Sequence, residues 1–145
     1  MSKLTVVLVC GRGGPARLSA PFVDSPLVEQ VLVLAAEKSA VAGHAKVDLR
    51  PTAEPTGCEA LRQALESVRT EYAVLVDPDV EVRLGQFALE RLIDVAEQTG
   101  AGMVYADHWV DRGGSVSDRP LIDCQLGSIR DDFAFGPVCL FSMAA

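Results

Sequence analysis

The run Tyr72 to Glu81, YAVLVDPDVE, constrains this chain more than any other. Tyr72-Ala73-Val74-Leu75-Val76 is apolar without interruption, the pattern of a strand buried on both faces of a parallel sheet. It ends on Asp77-Pro78-Asp79. Proline lacks the N–H that a central strand needs, so the strand stops there. Two carboxylates one residue apart then sit at the carboxyl rim, where open α/β sheets bind ligands. Close carboxylates repel unless a proton or cation lies between them. A hard divalent cation, Mn²⁺ or Mg²⁺, carrying substrate phosphates would relieve that repulsion, and Mg²⁺ is commonly held by one or two carboxylates plus phosphate oxygens. The plain alternative is a solvated acidic turn, which Asp-Pro-Asp also suits.

The other strands follow the same logic. Leu4 to Cys10 is a first buried strand, and Gly11-Arg12-Gly13-Gly14 leaves its carboxyl end. Glycines let backbone N–H groups approach a ligand closely, and Arg12 and Arg17 add charge suited to phosphate. Cys10, Gly11, Arg12 and Gly13 are therefore expected on one lip of a nucleotide site, although a bare glycine cluster is equally a flexible turn. Ala16 to Ser25 reads as a brief helix cut by Pro21 and Pro26. Val31 to Ala35 and Lys46 to Leu49 are the next strands. Thr56-Gly57-Cys58-Glu59 has capping-box spacing and opens a helix from Gly57 to about Arg69, with Leu61, Ala64, Leu65 and Val68 inward. A second helix spans about Gln86 to Gln98, with Leu89, Leu92, Ile93 and Ala96 inward and Gly100 at its stop. Gly102 to Ala106 is a fifth strand, Arg112 to Ser115 a turn, and Val138 to Phe141 a last strand docking late.

Strands alternating with helices predict a three-layer α/β domain, a mostly parallel sheet with helices on both faces. In the strand order three-two-one-four the switch point falls between strands one and four. The glycine loop and the Asp77/Asp79 pair then share one crevice.

Composition narrows the partners. The net charge of −7 over 145 residues argues against nucleic acid or an anionic membrane. Cys10, Cys58, Cys124 and Cys139 form no metal-binding spacing, and Cys10 and Cys139 read as buried free thiols. No signal peptide or anchor is legible near Met1, so a cytoplasmic location is expected.

With these pieces assembled, the chain resembles the family 2 glycosyltransferases, inverting enzymes of the nucleotide-diphospho-sugar transferase (Rossmann-like) fold. The resemblance runs through LTVVLVC, EQVLVLAAEKS, TGCEALRQALESVRTEYAVLVDPDVEV, GAGMVYADHWVD and LIDCQLGSIRDDFAFGPVCLF. It implies Asp79 as direct ligand of Mn²⁺ or Mg²⁺, with Asp77 on the ribose or the metal's water shell. The donor would be a nucleoside-diphosphate sugar and the acceptor a hydroxyl. The family's aspartate pair after strand two is replaced by Ala36-Glu37, leaving Glu37 to meet the nucleoside. Arg62 stands where the family carries asparagine. The family's general base comes from a later motif, so no catalytic base is assigned, and Asp131-Asp132 reads as a solvated turn. Residues 1–145 are expected to be a single nucleotide-sugar-binding domain without the acceptor-side half. An apolar surface at Val138 to Phe141 would then be covered in a homodimer or by a partner chain.

Two further readings stand beside this one. CGRGGPARLSAP is similar to the GG-x-G-x-RL-x-P loop of sugar-1-phosphate nucleotidyltransferases, with Arg17-Leu18 and Pro21 in register. Pro15-Ala16 departs from that loop, and its following lysine is missing. The other reading is a non-catalytic donor-binding module. Three side chains have plain structural readings: His108 as a surface or hydrogen-bonded residue, Trp109 packed over the rim, and Arg130 paired with Asp131 or Asp132.

Overall fold

The computed structural model describes residues 2–10, 15–36, 43–78, 80–125 and 127–144. Its elements are β1 (Leu4–Cys10), α1 (Pro15–Val23), β2 (Val28–Ala35), β3 (Val47–Pro51), α2 (Cys58–Ser67), β4 (Tyr72–Val76), α3 (Ala88–Thr99), β5 (Met103–Tyr105), β6 (His108–Arg112), β7 (Ser115–Arg119) and β8 (Val138–Ser142). The main sheet has the order β3-β2-β1-β4-β8-β5, and β6-β7 is a separate hairpin. The order β3-β2-β1-β4 is the arrangement that puts the switch point between β1 and β4. β3, β2, β1 and β4 run parallel, with Val6 paired to Val31 on one side and Val74 on the other.

Every residue of β1 is buried, as a centre strand covered on both faces requires. Alternation divides its side chains between two layers. Leu4, Val6, Leu8 and Cys10 face Leu18 and Phe22 of α1 and Leu89, Leu92, Ile93 and Ala96 of α3. Val7 and Val9 face Ala60 and Ala64 of α2, with Val68 just beyond it. The sandwich is thus an α/β three-layer fold with a mostly parallel sheet.

Several local expectations shift. The α2 N-cap is Gly57 in extended conformation with no side-chain cap, so the capping box at Thr56 does not form. Glu59 is drawn instead into bonds from Arg62 and Gln63. The buried stripe of α2 is Ala60 and Ala64, continued by Val68, while Leu61 and Leu65 are only half-buried. Small residues let the helix sit close to the sheet, and the leucines flank the contact. α1 carries Pro21 inside it, where the missing N–H removes a helical bond without ending the helix. α3 buries the four expected residues and stops at Gly100, φ +68°, whose N–H bonds Ala96 O.

The second half of the sheet is mixed. β8 enters between β4 and β5 and is antiparallel to both. β8 therefore supplies no free edge. Cys139 and Leu140 are buried, and Val138 and Phe141 are half-buried. The segment leaving β5 is a regular hairpin closed by Gly113 (φ +63°) and Gly114 (φ +92°), a two-residue loop that needs positive φ twice. Trp109 is 77% exposed on it and does not pack over the rim. Cys10 and Cys139 are buried, while Cys58 and Cys124 are exposed. Among the described residues no helix is long and apolar enough to cross a membrane.

Candidate functional site

The parallel pairing of β1 with β4 decides where the site lies. Leu8 pairs with Val76, so Cys10 and Asp77 leave the sheet at one edge. Of the expected site residues, these two are described. Gly11, Arg12, Gly13, Glu37 and Asp79 lie outside the described residues. The Cys10 side chain is buried in the core shared by α1 and α3, so only its backbone can face a ligand. Ala36 is exposed just past β2.

Asp77 is exposed, and its backbone is fixed where the chain turns away from β4. Its N–H donates to Pro137 O at 2.9 Å, continuing the β4–β8 ladder past Val76 and Val138. Among the described residues no basic side chain pairs with the Asp77 carboxylate. Its charge still reaches the core: burial first, then the Asp77 charge, pushes the Cys139 thiol above the ordinary range. An exposed, unneutralised carboxylate on a fixed backbone suits a cation carried in with phosphates. Among the described residues no cluster of three or more acidic, histidine or cysteine side chains provides a complete protein cage.

Across the mouth, Arg17 of α1 bonds Glu81, which follows the aspartate motif. Both side chains are exposed, so the pair contributes little stability. Its value is positional: it shows α1 and the β4 exit on the same side of the rim. The sequence gives no local signal for this pair, since its members are far apart in the chain.

The other rim comes from β5, which runs parallel to β4 because both oppose β8. Tyr105 and Leu75 both pair with Cys139, so the β5 exit is level with the β4 exit. Residues 120–125 and 127–137 cross this end as a strap. Asp107 Oδ1 accepts Leu121 N–H at 2.7 Å, and Tyr105 OH donates to Ile122 O at 2.8 Å. Phe133 and Phe135 pack edge-on to Tyr105 and to each other, with centroids 6.1, 5.2 and 4.8 Å apart. Arg130 pairs with Asp132 at 3.3 Å. Two open depressions follow the strap, one at Leu121, Ile122, Asp123, Gln125 and Ser128, the other at Arg130 to Asp132. Neither contains Cys10 or Asp77, so topology rather than cavity shape marks the rim.

Arg62 is accounted for without a ligand. Glu59 and then Glu66 hold its guanidinium, pushing its pKa upward, on the exposed face of α2.

No protein-family model matches the sequence, and no curated protein matches it. Among solved structures, the 2-C-methyl-D-erythritol 4-phosphate cytidylyltransferase of Francisella tularensis is similar. The superposition has a TM-score of 0.58 at 15% identity and covers 99% of this chain and 73% of that one. The likeness is one of fold: a mostly parallel, Rossmann-like α/β sheet with helices on both faces. Doubly wound sheets as a rule bind ligands at the switch point; here that point falls between β1 and β4, where Cys10 and Asp77 leave the sheet.

Proposed function

We propose that this domain binds a nucleoside-diphosphate sugar with a divalent cation and transfers the sugar, with inversion, to an acceptor hydroxyl, as in family 2 glycosyltransferases. The observation that carries this reading is the exit of Cys10 and Asp77 on one edge of a switch-point sheet, with Asp77 exposed and, among the described residues, without a basic partner. Asp79 and Asp77 would hold Mn²⁺ or Mg²⁺. Bound there, the cation supplies Lewis-acid assistance to the departing diphosphate. The chain's own contribution is orientation. Backbone N–H groups after Cys10, with Arg12, meet phosphate oxygens; Asp77 sits on a backbone fixed by Pro137 O; Glu37 meets the nucleoside. Residues 1–145 act in this reading as the donor-binding unit. The thiols fit a reducing compartment, and we place the domain in the cytoplasm.

Calorimetry with nucleoside diphosphates, with and without Mn²⁺, tests the reading. Binding should require the metal and fall at least about tenfold in Asp79→Ala, a first-order loss for a metal ligand. Metal-independent binding, or binding unchanged in that variant, overturns it.

A second reading has its own support. Arg17-Leu18 and Pro21 lie on α1 directly beyond the β1 exit, and the similar solved structure is a cytidylyltransferase. Release of pyrophosphate from a nucleoside triphosphate and a sugar phosphate would select nucleotidyl transfer over sugar transfer. Binding with neither activity would select the non-catalytic module.

A further inference from the structure

His108 begins the hairpin at the β5 exit, and its imidazole lies against Gly136 of the strap. Gly136 has φ +86°, a conformation that favours glycine. A Cβ at that position would come 3.0 Å from His108 Nδ1 and 3.2 Å from Cε1. That is a tight contact, one the His108 ring could relieve only by giving way a few tenths of an ångström. Glycine is thus favoured by the backbone, and its lack of a side chain lets the ring lie where it does. Nδ1 itself is buried and has no hydrogen-bond partner among the described residues. An N–H left without an acceptor there would be costly, so the ring proton belongs on Nε2.

The next residue makes the contact consequential. Pro137 O accepts the Asp77 N–H at 2.9 Å, and Val138 then pairs with Val76. The ring of His108 therefore limits where Gly136 can sit, and Gly136 sets where the Pro137 carbonyl meets Asp77. We propose that His108 is a positioning residue for Asp77, acting through Gly136 and Pro137. The proposal rests on the reading of Asp77 as a cation- and nucleotide-binding residue. It adds a link from the β5 exit to the β4 exit that does not touch substrate.

Two measurements separate this proposal from the function it serves. The first needs no ligand: amide hydrogen exchange at Asp77. His108→Ala should speed exchange of that amide at least about tenfold while Val74 and Leu140 keep their protection, the mark of a local opening. Gly136→Ala should do the same in the natural background. In the His108→Ala background its further effect should be smaller, because the steric obstacle is gone and only the strain of the positive φ remains. The second is calorimetry with a nucleoside diphosphate and Mg²⁺. His108→Ala should weaken binding about tenfold, in the range for outer partners of a metal site. Added to Asp77→Ala, the same substitution should change nothing more. Unchanged Asp77 exchange in His108→Ala, or equal acceleration at Val74 and Leu140, overturns the proposal. Additive losses in the double variant also overturn it. Failure of the natural chain to bind any nucleoside diphosphate overturns the functional reading, and the Asp77 amide still decides the positioning link.

Discussion

The two halves of the sheet are built by different rules. In the parallel half, β3-β2-β1-β4, β1, β2 and β4 are near-continuous apolar runs, and helices cover both faces. In the other half, β8 runs antiparallel to both neighbours, β5 has only three residues, and α3 covers one face. On the opposite face the strap aromatics Phe133 and Phe135 lean on Tyr105. The parallel half is a rigid frame carrying the Cys10 and Asp77 exits. The mixed half is joined to it through a single inserted strand and positions the strap over the rim. A sheet assembled this way can hold one lip of a site fixed while the other lip depends on a few long-range contacts.

The sharpest way to break this comparison is to remove one buried side chain from each half. Leu8, 1% exposed at the centre of β1, should cost about 2–5 kcal/mol on truncation to alanine, the range for a buried leucine leaving a cavity. The loss should appear as one cooperative shift in a urea titration. Phe133→Ala removes a half-buried ring whose aromatic contacts are worth about 0.5–1.5 kcal/mol beyond area. Its main effect should be faster exchange in residues 121–137, with a small midpoint shift. Equal midpoint shifts from the two variants would mean that the halves are one cooperative unit.

The same division explains what could be read from the sequence. Buried parallel strands write themselves as apolar runs, so β1 and β4 were legible at their observed bounds; alternation with helices implied a mostly parallel sheet, whereas the order β3-β2-β1-β4 was one supposition among the orders it allows, and the pairing bears it out. α3 was legible because Leu89, Leu92, Ile93 and Ala96 repeat at helical spacing and Gly100 can adopt the left-handed stop. The insertion of β8 between β4 and β5 was not, since nothing local in Val138 to Ser142 names its neighbours. The hairpin could have been found. HWVDR and SVSDR flank a Gly-Gly pair, and a two-residue glycine loop between strand-like runs is a direct hairpin signal. Thr56 misled because spacing alone cannot tell which residue takes the cap. At the site, the Asp77 position was legible from its strand, whereas the Pro137, Gly136 and His108 contacts join three distant segments and leave no periodic trace.

A smaller effect probes the strap through Tyr105. Burial first, then the charges of Cys124 and Asp123, raises the Tyr105 pKa. Its hydroxyl is also the donor to Ile122 O, a bond that the phenolate cannot make. A folded-state pKa above the unfolded value means the contribution is complete below the unfolded value and is lost as pH rises through the folded one. The strap should therefore loosen on the alkaline side of the ordinary tyrosine range. In a Tyr72→Phe background, phenolate absorbance should report Tyr105 alone, with a midpoint above that of free tyrosine. Near-ultraviolet circular dichroism from the strap aromatics should fall through the same midpoint. In Tyr105→Phe that fall should vanish. A midpoint at the free-tyrosine value would place the phenol in water and remove Tyr105 as an anchor.

The smallest expected effect belongs to the β6–β7 hairpin, a two-stranded sheet of its own beyond the β5 exit. Trp109 is the only tryptophan in the chain, and on β6 it shares an outer face with Asp111 and, across the strands, with Val116 and Asp118. At 77% exposed it contributes little to burial, so Trp109→Ser should change stability by no more than about 0.5 kcal/mol, the usual bound for a surface substitution. Its fluorescence gives a direct reading. The emission maximum of the folded chain should lie close to that of the unfolded chain, and acrylamide should quench both nearly equally. Adding a nucleoside diphosphate with Mn²⁺ should leave that emission unchanged if the hairpin stands apart from the rim. A blue shift on addition would instead bring Trp109 over the bound nucleotide, joining the hairpin to the site and making the mixed half a closing lip.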